Sequence, residues 1–325
     1  MSINVKNNLY ILSFKTHTIH REDVVGLLLM TIVYNDEIED INNEIMEIKK
    51  CLDSKNIVIG IVESLMNKNH IIKIFCEDEY YTEKTVNIFN IYLANILYKI
   101  VISEFYKNEI EYFLNETYFF LKEEELIEIK SKCIDVMENE GKIADESAVY
   151  CINRKNNIID KIILCLDQNK EINVNGFVRF RMRELISELE GIVDKIVEKY
   201  MAEKEYNEFI KLLKYFVDIQ ESKLDAINII IEKDGNYIVQ DNAGETVLDQ
   251  LLNELYDTNR SDAVSMEDII ISGLITNSPQ KVIIHGLENC LNLEFIETIK
   301  NVFCDRVEIC DSCKTCETIK HSLKV

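Results

Sequence analysis

The densest concentration of reactive side chains lies near the C-terminus. Five of the ten cysteines fall there: Cys290, Cys304, Cys310, Cys313 and Cys316. Cys310-x2-Cys313-x2-Cys316 is a tight thiol run, and His321 follows after four intervening residues. Soft thiolates at such spacing suit zinc or an iron–sulfur cluster. Three thiolates leave a tetrahedral ion one ligand short. With Cys313, Cys316 and His321 read as the start of a zinc knuckle, the closing ligand is expected from Cys310, Cys290 or His285. The other readings are redox-active thiols and an unligated cysteine-rich end. His285-Gly286 also closes an apolar strand, a place where α/β sheets often bind ligands, although one His and one Gly suit a structural turn equally well.

A second constellation is basic. Gly176-Phe177-Val178-Arg179-Phe180-Arg181-Met182-Arg183 gathers three arginines in an acidic chain. In an extended strand Arg179, Arg181 and Arg183 would share one face. If a helix starts near Arg181, Arg179 and Arg181 sit where backbone N–H groups favour an anion. Pairing with the chain's own carboxylates is the competing expectation. Other enzyme signatures are missing: no Gly-x-x-x-x-Gly-Lys-Ser/Thr, Gly-x-Gly-x-x-Gly, His-Glu-x-x-His or Gly-x-Ser-x-Gly occurs. The sequence therefore leans away from an enzyme.

Composition narrows the partners. The 325 residues carry 36 Lys and Arg against 58 Asp and Glu, a formal charge of −22. Such a chain repels phosphate backbones and anionic lipid, so nucleic acid is not expected as a partner and a protein is. With 47% hydrophobic and 29% charged residues it is a folded chain, of about two domains by length. No apolar secretory core occurs in the first 18 residues, so a cytoplasmic protein with reduced thiols is expected. The greasiest window, 86–102, is 17 residues long and contains Asn87, Asn90, Asn95 and Lys99. That reads as a buried core helix, and no transmembrane segment is expected.

The elements that would position these residues follow from periodicity. A buried strand is expected over Leu27–Val33, a helix after Asn35-Asp36 through Ile38, Ile41, Ile45 and Ile48, and strands at Ile57–Val62 and Ile71–Phe75 joined at Asn67-Lys68-Asn69. Thr82 should cap a long helix through Ile100, with further helices over roughly 104–120, 122–138 and 145–168. An extended piece is expected over 171–180. A long amphipathic stretch follows, with a kink or break at Ala202–Glu205 where the apolar register weakens. From residue 227 a hairpin turns at Lys233-Asp234-Gly235-Asn236. Then come a helix over about 245–256, a loop with Ser261 and Ser265, the segment Asp268–Ile271, and a strand–helix–strand run ending at Ile309 with a parallel pair. The fold class is α+β: an N-terminal β-α-β-β unit, a helical region, then a smaller C-terminal α/β domain. Residues 1–25 read as a flexible or spurious extension, with domains over 26–226 and 227–325.

Several of these segments together resemble the YtxC-like sporulation proteins: the opening apolar strand, Ile74-Phe75-Cys76-Glu77-Asp78-Glu79-Tyr80-Tyr81, Gly176–Arg181, Glu203-Lys204-Glu205-Tyr206, Ile283-Ile284-His285-Gly286 and the cysteine-bearing end. The similarity spans about 26–316. It implies a cytoplasmic protein of endospore-forming bacteria associated with sporulation, and it supplies no catalytic mechanism to carry over. The resulting expectation is a partner-binding or regulatory protein. The alternative is an enzyme or sensor holding a phosphorylated small molecule through Arg179, Arg181 and Arg183.

Overall fold

The structure, a computed structural model, describes residues 5–6, 9–12, 24–36, 38, 41–138, 146–247 and 265–321. The chain divides into two compact units, Met1–Tyr200 and Met201–Val325. It is mixed α+β, as the periodicities require.

The first unit is organised around β3 (Val24–Asn35), a 12-residue apolar strand. Downstream of it come α1 (Ile41–Asp53), β4 (Ile59–Met66) and β5 (Asn69–Glu77), the expected β-α-β-β order. In α1 the buried positions Ile41, Ile45, Ile48 and Leu52 recur every three or four residues, which lays one stripe against the core. Asn67 and Lys68 both adopt positive φ, 51° and 68°, so the β4–β5 hairpin closes on two residues twisted in the sense antiparallel strands favour. Within the stretch expected as an extension, β1 (Val5–Lys6) and β2 (Leu9–Leu12) pair with each other, and β2 adds antiparallel to β3 at Tyr10↔Gly26.

Helix α2 (Glu83–Asn108) starts at Thr82, whose hydroxyl accepts the Thr85 N–H at 3.2 Å. By length and composition it could cross a membrane, yet 56% of that apolar window is buried. Phe89, Leu93, Leu97, Val101 and Phe105 are sealed inside the unit, where α2 packs on α1, α3 (Ile110–Thr117), α4 (Glu123–Glu138) and α5 (Glu146–Gln168). Its buried Asn90 donates to Asp167 of α5 at 2.7 Å.

The extended piece expected over 171–180 is mostly helical. Only β6 (Glu171–Asn173) is a strand, parallel to β3, and α6 begins at Val174. Asn173 explains the switch: its side-chain oxygen accepts the Gly176 N–H at 2.8 Å, an N-terminal cap that favours helix over strand. Of the kink or break expected at Ala202–Glu205, the break into two helices is absent. Helix α6 runs unbroken from Val174 to Ile219, because Ala, Glu and Lys are strong helix formers. The weakened register there marks a change of packing partner. Leu185, Leu189, Ile192 and Val193 are buried in the first unit, whereas Ile210 and Val217 join the core of the second. The division between units therefore falls inside α6, upstream of the change in sequence texture near 226.

The second unit adds β7 (Ala226–Ile231), β8 (Tyr237–Asp241), α7 (Met266–Asn277), β9 (Lys281–His285), α8 (Leu293–Phe303), β10 (Val307–Cys310) and α9 (Lys314–His321). Asp268–Ile271 lies in α7, which Ser265 caps by accepting the Asp268 N–H. Of the helix expected over 245–256, residues 248–256 lie outside the described residues. The sheet order is β10-β9-β7-β8, with β7, β9 and β10 parallel and β8 antiparallel. Ile227, Ile229, Ile231, Val282 and Ile284 turn one face into a core closed by α6, α7 and α8. By strand alternation Asn228, His285 and Cys310 stand on the other face.

Candidate metal centre

The two parallel strands β9 and β10 end together. Their last residues, His285 and Cys310, are direct partners in the sheet. After β10 the chain turns through Asp311 and Ser312 into α9. Cys313 caps that helix: its carbonyl accepts the Glu317 N–H at 2.9 Å, and its Sγ accepts the Cys316 N–H at 3.5 Å. One turn on, Cys316 points back, and its thiol reaches the Cys310 carbonyl at 3.2 Å.

The outcome is a four-donor cluster of His285 Nδ1 and the sulfurs of Cys310, Cys313 and Cys316, all within 4.8 Å of one another. Nδ1 lies 3.4 Å from both Cys313 and Cys316 Sγ. Cys316 Sγ lies 3.7 Å from Cys313 Sγ and 3.9 Å from Cys310 Sγ. A tetrahedral zinc with bonds of about 2.3 Å to sulfur and about 2.05 Å to nitrogen has edges of roughly 3.8 Å between sulfurs and roughly 3.6 Å between sulfur and nitrogen. These four spacings lie close to those edges, and the two spacings from Cys310 to Cys313 and to His285 stay within 4.8 Å. An iron–sulfur cluster would spread its ligands around several atoms.

The imidazole tautomer follows from its far side. Asn228 Nδ2 donates to the Asp241 carbonyl at 3.2 Å, so Asn228 Oδ1 faces His285 Nε2, 3.1 Å away. Nε2 therefore carries the proton, and the Nδ1 lone pair faces the thiols. Burial lowers the His285 pKa, which keeps the ring neutral and able to ligate. Burial raises the Cys313 thiol, but the Cys316 N–H and hydrogen bonds with the Cys310 and Cys316 thiols outweigh it and hold Cys313 at about 7. Cys316 is pushed up to about 11, first by burial and then by its hydrogen bond with Cys313. His285 and Cys316 are buried at 5% and 2% exposure, while Cys310 and Cys313 are half-buried.

Gly286 makes the strand end possible. Its φ is +69°, and a Cβ there would stand 2.4 Å from the Ile231 carbonyl oxygen, so no other residue fits without moving the backbone that carries His285.

The remaining candidates lie elsewhere. Cys290 turns to the Asn292 carbonyl at 3.1 Å and the Tyr237 hydroxyl at 3.9 Å. The side chain of His321 lies outside the described residues. The three arginines do not converge. In a helix a spacing of two residues turns about 200°, so Arg181 points away from Arg179 and Arg183. Arg181 is held by Glu184 of its own helix at 2.9 and 3.0 Å. Arg179 borders an open cleft of about 490 Å³ whose lining also includes Glu104 and Glu109, two carboxylates to one guanidinium. That is not an electropositive pocket. Asn228 is the functional side chain that spacing rules miss. Its signal was a lone amide inside the apolar run Ile227–Ile231.

Fold and site together define an α+β protein whose C-terminal unit ends in a closed Cys3His donor set. The YtxC-like family model matches residues 91–308, more than half of the chain, and the chain belongs to that family. It is 22% identical over 197 residues to the uncharacterized protein YtxC of Bacillus subtilis (strain 168), covering 60% of this chain and 68% of that protein. No solved structure matches. The family match includes Asn228 and His285 and ends two residues before Cys310.

Proposed function

We propose that this chain is a cytoplasmic, sporulation-associated protein that acts by binding a protein partner, and that a structural zinc ion held by His285, Cys310, Cys313 and Cys316 shapes its C-terminal unit. One observation carries the zinc reading: four donors of the right chemistry converge within 4.8 Å, four of their spacings close to the edges of a zinc tetrahedron, with the imidazole lone pair turned inward by Asn228. With four protein ligands no coordination position is left for substrate, which favours a structural over a catalytic ion. Helix α9 has eight residues, too few to be stable alone, so the ion would hold it on the sheet. The charge of −22 favours a protein partner over nucleic acid, and the resemblance to sporulation proteins supplies the cellular setting.

Protein purified without oxygen should contain about one zinc per chain, with a sulfur-rich shell and one nitrogen by X-ray absorption. Replacing Cys313 with Ser should abolish the metal. A metal-free, reduced preparation whose three tail thiols alkylate freely would overturn the zinc reading. Pull-downs from sporulating cells, comparing the unsubstituted chain with Cys313→Ser, test the partner. Equal recovery of no specific protein by either would sink that part.

A further inference from the structure

Resting on that zinc reading, we infer that the centre is a peroxide-responsive release switch in which Cys313 and Cys316 form a disulfide and eject the ion. The two sulfurs are 3.7 Å apart, closer than the 3.9 Å between Cys316 and Cys310, and need to close by roughly 1.7 Å to bond at about 2.05 Å. They sit at i and i+3 across the first turn of α9, so the closure is local and leaves β9 and β10 in place. Access is unequal. Cys313 is half-buried and reachable from solvent, whereas Cys316 is buried behind it. That is the arrangement of an attacking thiolate with a resolving partner.

The step balances with hydrogen peroxide as oxidant. The zinc-bound Cys313 sulfur attacks one peroxide oxygen, the O–O bond breaks, and hydroxide leaves, giving a sulfenic acid. The Cys316 thiolate then attacks that sulfur, the S–S bond forms, and a second hydroxide departs. Two protons from solvent convert both hydroxides to water. Two electrons pass from the thiolates to peroxide. Only His285 and Cys310 would then remain as ligands, too few to hold a zinc ion against a chelator. Release frees α9 from the sheet end and uncovers the buried ring of His285. A dithiol reductant reverses the bond and restores the site.

The test uses the zinc-loaded full chain titrated with hydrogen peroxide in the presence of a chromophoric zinc indicator. Each peroxide consumed should release one zinc, the mass under denaturing conditions should be two hydrogens below that of the reduced, metal-free chain, and peptide mapping should find Cys313 joined to Cys316. A Cys304→Ser variant, lacking the exposed thiol of α8's end, should behave identically. Cys310→Ser, which weakens the metal site but keeps the pair, should still form the disulfide. Reduced protein that never held zinc would overturn the zinc reading, and the switch with it. Protein that holds zinc but keeps it through full peroxide treatment, or loses it without a Cys313–Cys316 bond, would overturn the switch alone.

Discussion

Asn228→Ala tests the centre through a residue that touches no metal. In the structure Asn228 accepts the His285 Nε2–H at 3.1 Å and anchors itself on the Asp241 carbonyl at 3.2 Å. Truncation removes both bonds and frees the ring to rotate. His285 is only 5% exposed, so water cannot easily take up the orphaned N–H. An unsatisfied buried donor costs about 1–3 kcal/mol. Loss of the partner that orients a ligating histidine typically weakens metal affinity about 10–100-fold, or roughly 1.4–2.7 kcal/mol. The two routes agree. Competition for zinc against a chromophoric chelator at neutral pH should therefore show Asn228→Ala weakened by that factor. Asn228→Asp, which still offers an acceptor oxygen, should recover most of the loss. Cys316→Ser serves as the control that removes a ligand outright. If Asn228→Ala binds zinc as tightly as the unsubstituted chain while Cys316→Ser does not, the tautomer and the orienting role assigned to Asn228 are wrong.

Gly286→Ala should destabilise the C-terminal unit by about 1–3 kcal/mol in denaturant melts and impair zinc retention, because the new Cβ meets the Ile231 carbonyl and the φ of +69° is unfavourable for Ala; an unchanged midpoint would contradict this. Glu188, buried between Arg154 of α5 at 2.8 Å and Lys161 at 2.9 Å, joins α5 to α6. Glu188→Gln should cost about 1–2 kcal/mol, a figure kept low because both cations are at least a third exposed. Burial raises the Glu188 pKa, but its two cations outweigh that and leave it below 4.5, so its contribution is present above that pH and is lost as pH falls through the folded value. His70 is hydrogen-bonded to Asp36 and Glu63, chiefly Asp36, which raises its pKa above 6.5. Its contribution is accordingly full below 6.5 and lost as pH rises through the folded value; NMR titration of Asp36→Asn should find His70 moved back down, and no movement would remove Asp36 as the cause.

The elements with one clean period were legible from sequence. The stripe of α1, the Thr82 cap of α2, the Asp234-Gly235 hairpin and the β9–α8–β10 run each carry local signals strong enough to fix type and place. Misreadings arose where a local cue had two meanings. Gly176 suggested extension, but the Asn173 side chain spends its oxygen on the Gly176 N–H and starts a helix. The lapse at Ala202–Glu205 suggested a break, but it records a helix passing from one core to another. In the site, the x2 spacings showed that three thiols must be neighbours. The choice of His285 over Cys290 could not be read, because it depends on which residue ends β9 and which residue of β10 lies beside it. That is long-range information. Asn228 was hidden for the same reason: its role arises from a neighbouring strand 57 residues away.

The pairing of His285 with Cys310 would give a metal bound there a role in assembly as well as in the finished unit. Both are the last residues of parallel strands, and in the observed alignment they stand side by side on the same face. Sliding β10 by one residue would send Cys310 to the opposite face, among the apolar side chains packed by α6 to α8. The three cysteines would then no longer converge on the imidazole. Parallel strands are aligned late, after their crossover helix has formed and the long loop has closed. A zinc ion captured at this corner would thus act as a proofreader, binding tightly only to chains whose final strand has settled in the correct alignment.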